Sequence, residues 1–106
     1  MDNKAKLLNM LGLATRAGKV VSGEFMTEKS VKEGKALLCI VAEDASDNTK
    51  KLFRDKCSYY EVSYYVFATK DELGHAIGKT TRASLAILDD GFKNAIEKLI
   101  IKQEED

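Results

Sequence analysis

Six consecutive apolar residues, Leu37, Leu38, Cys39, Ile40, Val41 and Ala42, sit in the first half of a 106-residue chain. An uninterrupted apolar run reads as a strand buried on both faces, because it leaves no polar side for water. Such a strand needs a sheet around it and a cover over each side of that sheet. The rest of the chain supplies both. Leu7, Leu8, Leu11 and Ala14 recur at helical spacing within residues 3–17, and Gly18 is placed to end that helix. Val20 and Val21 form a very short strand. Ser22 and Gly23 open a second helix that runs to Glu33 and stops at Gly34. Ser46 is an N-cap for a third helix with Leu52, Phe53 and Cys57 on its apolar side. Residues 64–67 form a strand. Thr69 and Glu72 have capping-box spacing, so a short helix begins there and ends near Gly78. Residues 84–88 form the last strand. Asp89 and Asp90 precede a final helix whose buried face is Phe92, Ala95, Ile96 and Leu99. The order α-β-α-β-α-β-α-β-α predicts an α/β protein, a small mixed or mostly parallel sheet with helices on both faces.

One domain of residues 1–106 is expected, with the acidic end 102–106 frayed. Hydrophobic residues make up 44%, enough for a core. No apolar run reaches membrane-spanning length, and the start MDNKAKLLNMLG reads as an amphipathic helix, not a signal peptide. A cytoplasmic protein without membrane contact is expected. Cys39 and Cys57 match no metal spacing and are expected as free thiols. No metal or other cofactor is expected. With 17 basic and 17 acidic residues the net charge is zero, which argues against a non-specific polycation for nucleic acid. The charge is uneven, however: residues 1–40 hold seven Lys or Arg against four Asp or Glu.

Gly78, Lys79, Thr80 and Thr81 resemble the end of a nucleotide phosphate loop. That loop needs a glycine at position 73, which is Leu73, and Gly74 is one residue too near. The context is also reversed, because a nucleotide loop follows a strand and opens a helix, whereas this one ends a helix and leads into a strand. Lys79 and Arg82, with the Thr80 and Thr81 hydroxyls, suit contact with the backbone of another phosphate polymer. His75 has no Ser or Cys nucleophile beside it, and Glu43 and Asp44 at the end of the apolar strand have no catalytic partner. Phe25, Lys29 and Lys32 are spaced to share one helix face. That face suits a stacked base and two phosphates, although on spacing alone the simpler reading puts Phe25 in the core. Lys19 and Arg16 precede the start of this helix. Tyr59, Tyr60, Tyr64 and Tyr65 offer an aromatic surface for a protein partner or, more simply, line the core around the third strand.

Three stretches, LGLATRAGKVVSGE (11–24), EKSVKEGKALLCIVAEDAS (28–46) and VFATKDELGHAIG (66–78), resemble the kink-turn RNA-binding superfamily of ribosomal protein L-seven-Ae. The resemblance covers most of the chain, from about Leu11 to Ile96, and is strongest to small bacterial members. It implies a three-layer α/β/α sandwich and a non-catalytic protein that binds structured, sharply bent RNA with tandem sheared G·A pairs, including ribosomal RNA. Carried onto this chain, the RNA-contacting segments are Ser22, Gly23 and the helix through Lys29; then Glu43, Asp44 and Ala45; then Lys79, Thr80, Thr81 and Arg82. Lys19 and Lys32 would add cations. Typical members carry Gly-x-Asn-Glu-x-x-Lys. Here Gly23 and Lys29 are retained, while Phe25 and Met26 replace the Asn and Glu that help read G·A pairs. Phosphate positioning is expected to persist with altered base readout. The same fold also serves as a protein-interaction module in some relatives, so ribosomal or other protein partners are the alternative, and the oligomeric state is left open.

Overall fold

The computed structural model describes residues 2–105. Nine elements alternate: α1 (Asn3–Arg16), β1 (Val20–Ser22), α2 (Glu24–Lys32), β2 (Leu38–Val41), α3 (Asp47–Tyr60), β3 (Ser63–Val66), α4 (Lys70–Ala76), β4 (Ser84–Ile87) and α5 (Asp90–Glu105). The strands form one sheet in the order β1-β4-β2-β3. β4 is antiparallel to both β1 and β2, and β3 is parallel to β2, so the sheet is mixed. Every residue of the two central strands is buried, whereas the edge strands β1 and β3 are partly exposed. The apolar run thus occupies the position that requires it.

α1 packs on α5 and α4, and α2 packs on α3, giving two helical layers with the sheet between them. Each helix sends at least one fully buried side chain into the core: Leu11, Val31, Phe53, Leu73 and Ile96. Gly12 allows α1 to lie close to α4, since a Cβ there would be 3.1 Å from the Ala76 carbonyl oxygen. Helix starts follow the capping residues of the sequence. The Ser46 hydroxyl accepts from the Thr49 N–H at 3.1 Å, and Thr69 and Glu72 form the reciprocal capping box. Asp89 accepts from the Phe92 N–H at 3.0 Å. α5 continues through the acidic segment to Glu105. Cys39 and Cys57 are both free and buried, and among the described residues no helix is long and apolar enough to cross a membrane.

The third strand begins and ends one residue earlier than expected. Its pairing with β2 stops at Val41–Val66, and Ala68, at φ 62°, then turns the chain toward α4. Tyr64 and Tyr65 pack against the edge of the core, while Tyr59 and Tyr60 at the end of α3 are exposed and meet edge to face at 4.8 Å. The Tyr65 hydroxyl donates to Glu97 Oε2 at 2.7 Å, tying β3 to α5. Burial, with the adjacent Glu97 carboxylate, pushes this phenol up to about 12. The folded state therefore favours the neutral phenol, a stabilisation fully present below the ordinary tyrosine range near 10 and lost as pH rises toward 12. Spectrophotometric titration is expected to find one tyrosine ionising last, coincident with unfolding, and Tyr65→Phe is expected to remove that step.

Candidate nucleic-acid interface

The sheet topology decides which loops meet. Because β4 runs against β1 and β2, the ends of β1 and β2 and the start of β4 lie at one end of the sheet. Ser22 is paired with Leu85, and Val41 with Ser84. Just beyond, the Gly23 N–H donates to the Ser84 carbonyl at 3.0 Å and the Ala42 N–H to the Ala83 carbonyl at 2.9 Å. The segments at Ser22–Gly23, Glu43–Ala45 and Lys79–Arg82 are thereby neighbours. Arg82 ties two of them: its Nε donates to Ser22 Oγ at 3.0 Å and its Nη1 to the Thr81 carbonyl at 2.7 Å.

The start of α2 differs from the other helix starts. Gly23, at φ 89°, is its N-cap and supplies no side-chain acceptor, so the first N–H groups of the helix have no capping side chain. They carry the positive end of the helix dipole. The first turn presents Phe25, 74% exposed, and Met26, 44% exposed. The core assignment for Phe25 is therefore incorrect. The inner face of α2 is built from Thr27, Ser30 and Val31, small enough to seat the helix closely on the sheet and α3, and Phe25 falls outside it. Lys29 is exposed and, among the described residues, in no ion pair; Lys32 is held by Glu28 at 3.0 Å.

In the second segment Glu43 and Asp44 are exposed. Asp44 Oδ1 accepts from the Lys70 N–H at 2.8 Å, so this carboxylate supports the start of α4. The third segment folds back over α4: the Lys79 N–H donates to the Gly74 carbonyl at 2.8 Å and the Arg82 N–H to the Lys70 carbonyl at 3.1 Å. Gly78, at φ 77°, follows the end of α4, and the chain then enters β4, the reverse of a nucleotide loop. Lys79, Thr80 and Thr81 are exposed and Arg82 is half-buried.

Lys19 is not brought to this cluster. Its carbonyl accepts from the Leu88 N–H at 2.9 Å, past the far end of β4, so the length of β1 separates its backbone from Ser22. Sequence adjacency suggests otherwise, because so short a strand reads as a link instead of a crossing of the sheet. The Arg82–Ser22 bond joins positions sixty residues apart and has no local signal in the sequence.

Fold and site together define a small α/β/α binding module, one end of whose sheet carries an uncapped helix and exposed cations. Among the described residues no group of three or more His, Cys, Asp or Glu is placed to hold a metal ion. A sequence model of the Ribosomal protein L7Ae/L30e/S12e/Gadd45 family matches residues 5–97, and the chain belongs to that family. It is 45% identical over 91 residues to the RNA-binding protein YlxQ of Bacillus subtilis, covering 86% of this chain and 91% of that one. A solved structure of a protein with unknown function from Bacillus halodurans C superposes with a TM-score of 0.88 at 40% identity, covering 91% of this chain and 97% of that one. The Giardia lamblia 15.5kD RNA binding protein superposes with a TM-score of 0.80 at 25% identity, covering 97% and 88% of the two chains. The family and the relatives that carry a function in their names are described as ribosomal or RNA-binding, not as enzymes.

Proposed function

We propose that this protein is a non-catalytic RNA-binding module that holds a sharply bent, kink-turn-type RNA against the end of its sheet. The convergence of three segments there, locked by the Arg82–Ser22 bond, carries the reading. A bend brings phosphates of two strands close together, and their mutual repulsion must be offset. Lys29, Lys79 and Arg82 provide cations, the uncapped start of α2 provides N–H donors, and Thr80 and Thr81 provide hydroxyls. A chain of zero net charge has little general attraction for RNA, so local geometry sets where the RNA sits. The protein would act by binding the bent conformer more tightly than the extended one, shifting the population toward it. Relatives named as RNA-binding, and a family named for ribosomal proteins, support the same reading.

Gel-shift titration with a kink-turn RNA, and with the same RNA converted to continuous Watson–Crick pairing, tests it. At least tenfold tighter binding to the bent RNA is expected. Equal affinity for the two would defeat bend recognition, and no binding to either would defeat the RNA reading.

A further inference from the structure

The outer face of α2 carries apolar surface that the phosphate contacts above do not use. Phe25 and Met26 are adjacent and exposed, although burying such apolar side chains is favourable. Beside them lies a shallow groove of about 300 Å³ lined by Phe25, Glu28, Lys29, Lys32 and Glu33. Its cations differ in state. Lys32 is neutralised by Glu28 at 3.0 Å, while Lys29, one turn from Phe25 on the same face, is in no ion pair among the described residues.

We infer that the groove seats a single unstacked nucleobase of the bound RNA, its ring on the Phe25 phenyl and its phosphate on Lys29. This rests on the RNA reading of the adjoining loops and names the element of the RNA that α2 recognises. A phenyl ring has no donor or acceptor with which to read a base edge; it offers a flat apolar face, and every base has a matching one. Neither Phe25 nor Met26 forms hydrogen bonds to base edges as amide or carboxylate side chains do. The first turn of α2 therefore selects for a base free of its own stack, not for a particular pair. The nearby free ammonium favours a nucleotide over an apolar peptide side chain, because it supplies the partner for the phosphate that comes with the base. Phe25 stands two residues after Gly23, the N-cap of α2, so the groove begins in the first turn of the helix.

The test is a double-mutant cycle on the bent RNA. Each unpaired nucleotide is replaced in turn by an abasic residue, and binding of the wild type and of Phe25→Ala is measured. Phe25 is exposed, so the variant retains the fold. At one position, base removal is expected to weaken wild-type binding roughly 5- to 100-fold, as Phe25→Ala does on the intact RNA. The two losses should not add, and Phe25→Trp should retain affinity. Placing 2-aminopurine at that position should give a fluorescence change on binding that Phe25→Ala abolishes. If Phe25→Ala binds intact RNA within twofold of wild type, or the losses add at every position, the base site is overturned and the RNA reading stands. If the wild type binds no bent RNA, both fall.

Discussion

Valine at Gly74 is expected to lower the unfolding free energy by about 3 kcal/mol and to weaken binding of a bent RNA more than tenfold. Gly74 lies in α4 beneath the loop that leads to β4. A Cβ there would stand 2.6 Å from Thr81 Cα and 2.8 Å from both the carbonyl carbon and oxygen of Thr80. These are backbone atoms and cannot swing aside as a side-chain tip can. The loop must lift as a unit, straining the Lys79–Gly74 and Arg82–Lys70 backbone bonds and drawing Arg82 from Ser22. The same displacement would move Lys79, Thr80 and Thr81 relative to α2. Denaturant titration and gel shift measure the two effects. Wild-type stability in Gly74→Val would mean that the loop does not rest on α4.

The second large effect is electrostatic. Lys29→Ala, Lys79→Ala and Arg82→Ala combined are expected to reduce RNA affinity about 100-fold or more at roughly 0.1 M salt. The slope of log affinity against log salt should fall by about one for each phosphate that the variant no longer neutralises. Lys29 and Lys79 are exposed, so their removal should leave stability nearly unchanged; Arg82→Ala also removes the bond to Ser22 and should cost about 1 kcal/mol. A triple variant whose affinity falls but whose salt slope equals wild type would place the phosphates elsewhere. Charge and shape make separable demands here, since Gly74→Val disturbs the loop while keeping every cation.

Much of the architecture is legible because this chain marks its element boundaries with residues whose physics is local. Ser46, Thr69 with Glu72, and Asp89 each cap the helix they are expected to cap. The run at 37–42 requires a central strand and occupies one. The site is less legible, for two reasons. α2 buries Thr27 and Ser30 at its interface, so the rule that large apolar residues face inward assigns Phe25 to the wrong side. Lys19 and Ser22 are three positions apart yet lie toward opposite ends of the sheet, while Ser22 and Arg82 touch across sixty positions. Which loops become neighbours depends on strand order and direction, and neither is written in the composition or periodicity of a single segment.

The insertion of β4 between β1 and β2 has a consequence for when the proposed binding face comes into being. Among the described residues β1 and β2 are not paired with each other, and β4, paired with both, holds their ends side by side. A chain growing from its N-terminus can form the β2–α3–β3 unit early, from contacts close in sequence. The three loops acquire their mutual geometry only when residues after Ala83 arrive. On the RNA reading proposed above, capture would wait for β4, and a nascent or prematurely terminated product lacking it should be unable to occupy the RNA in its place.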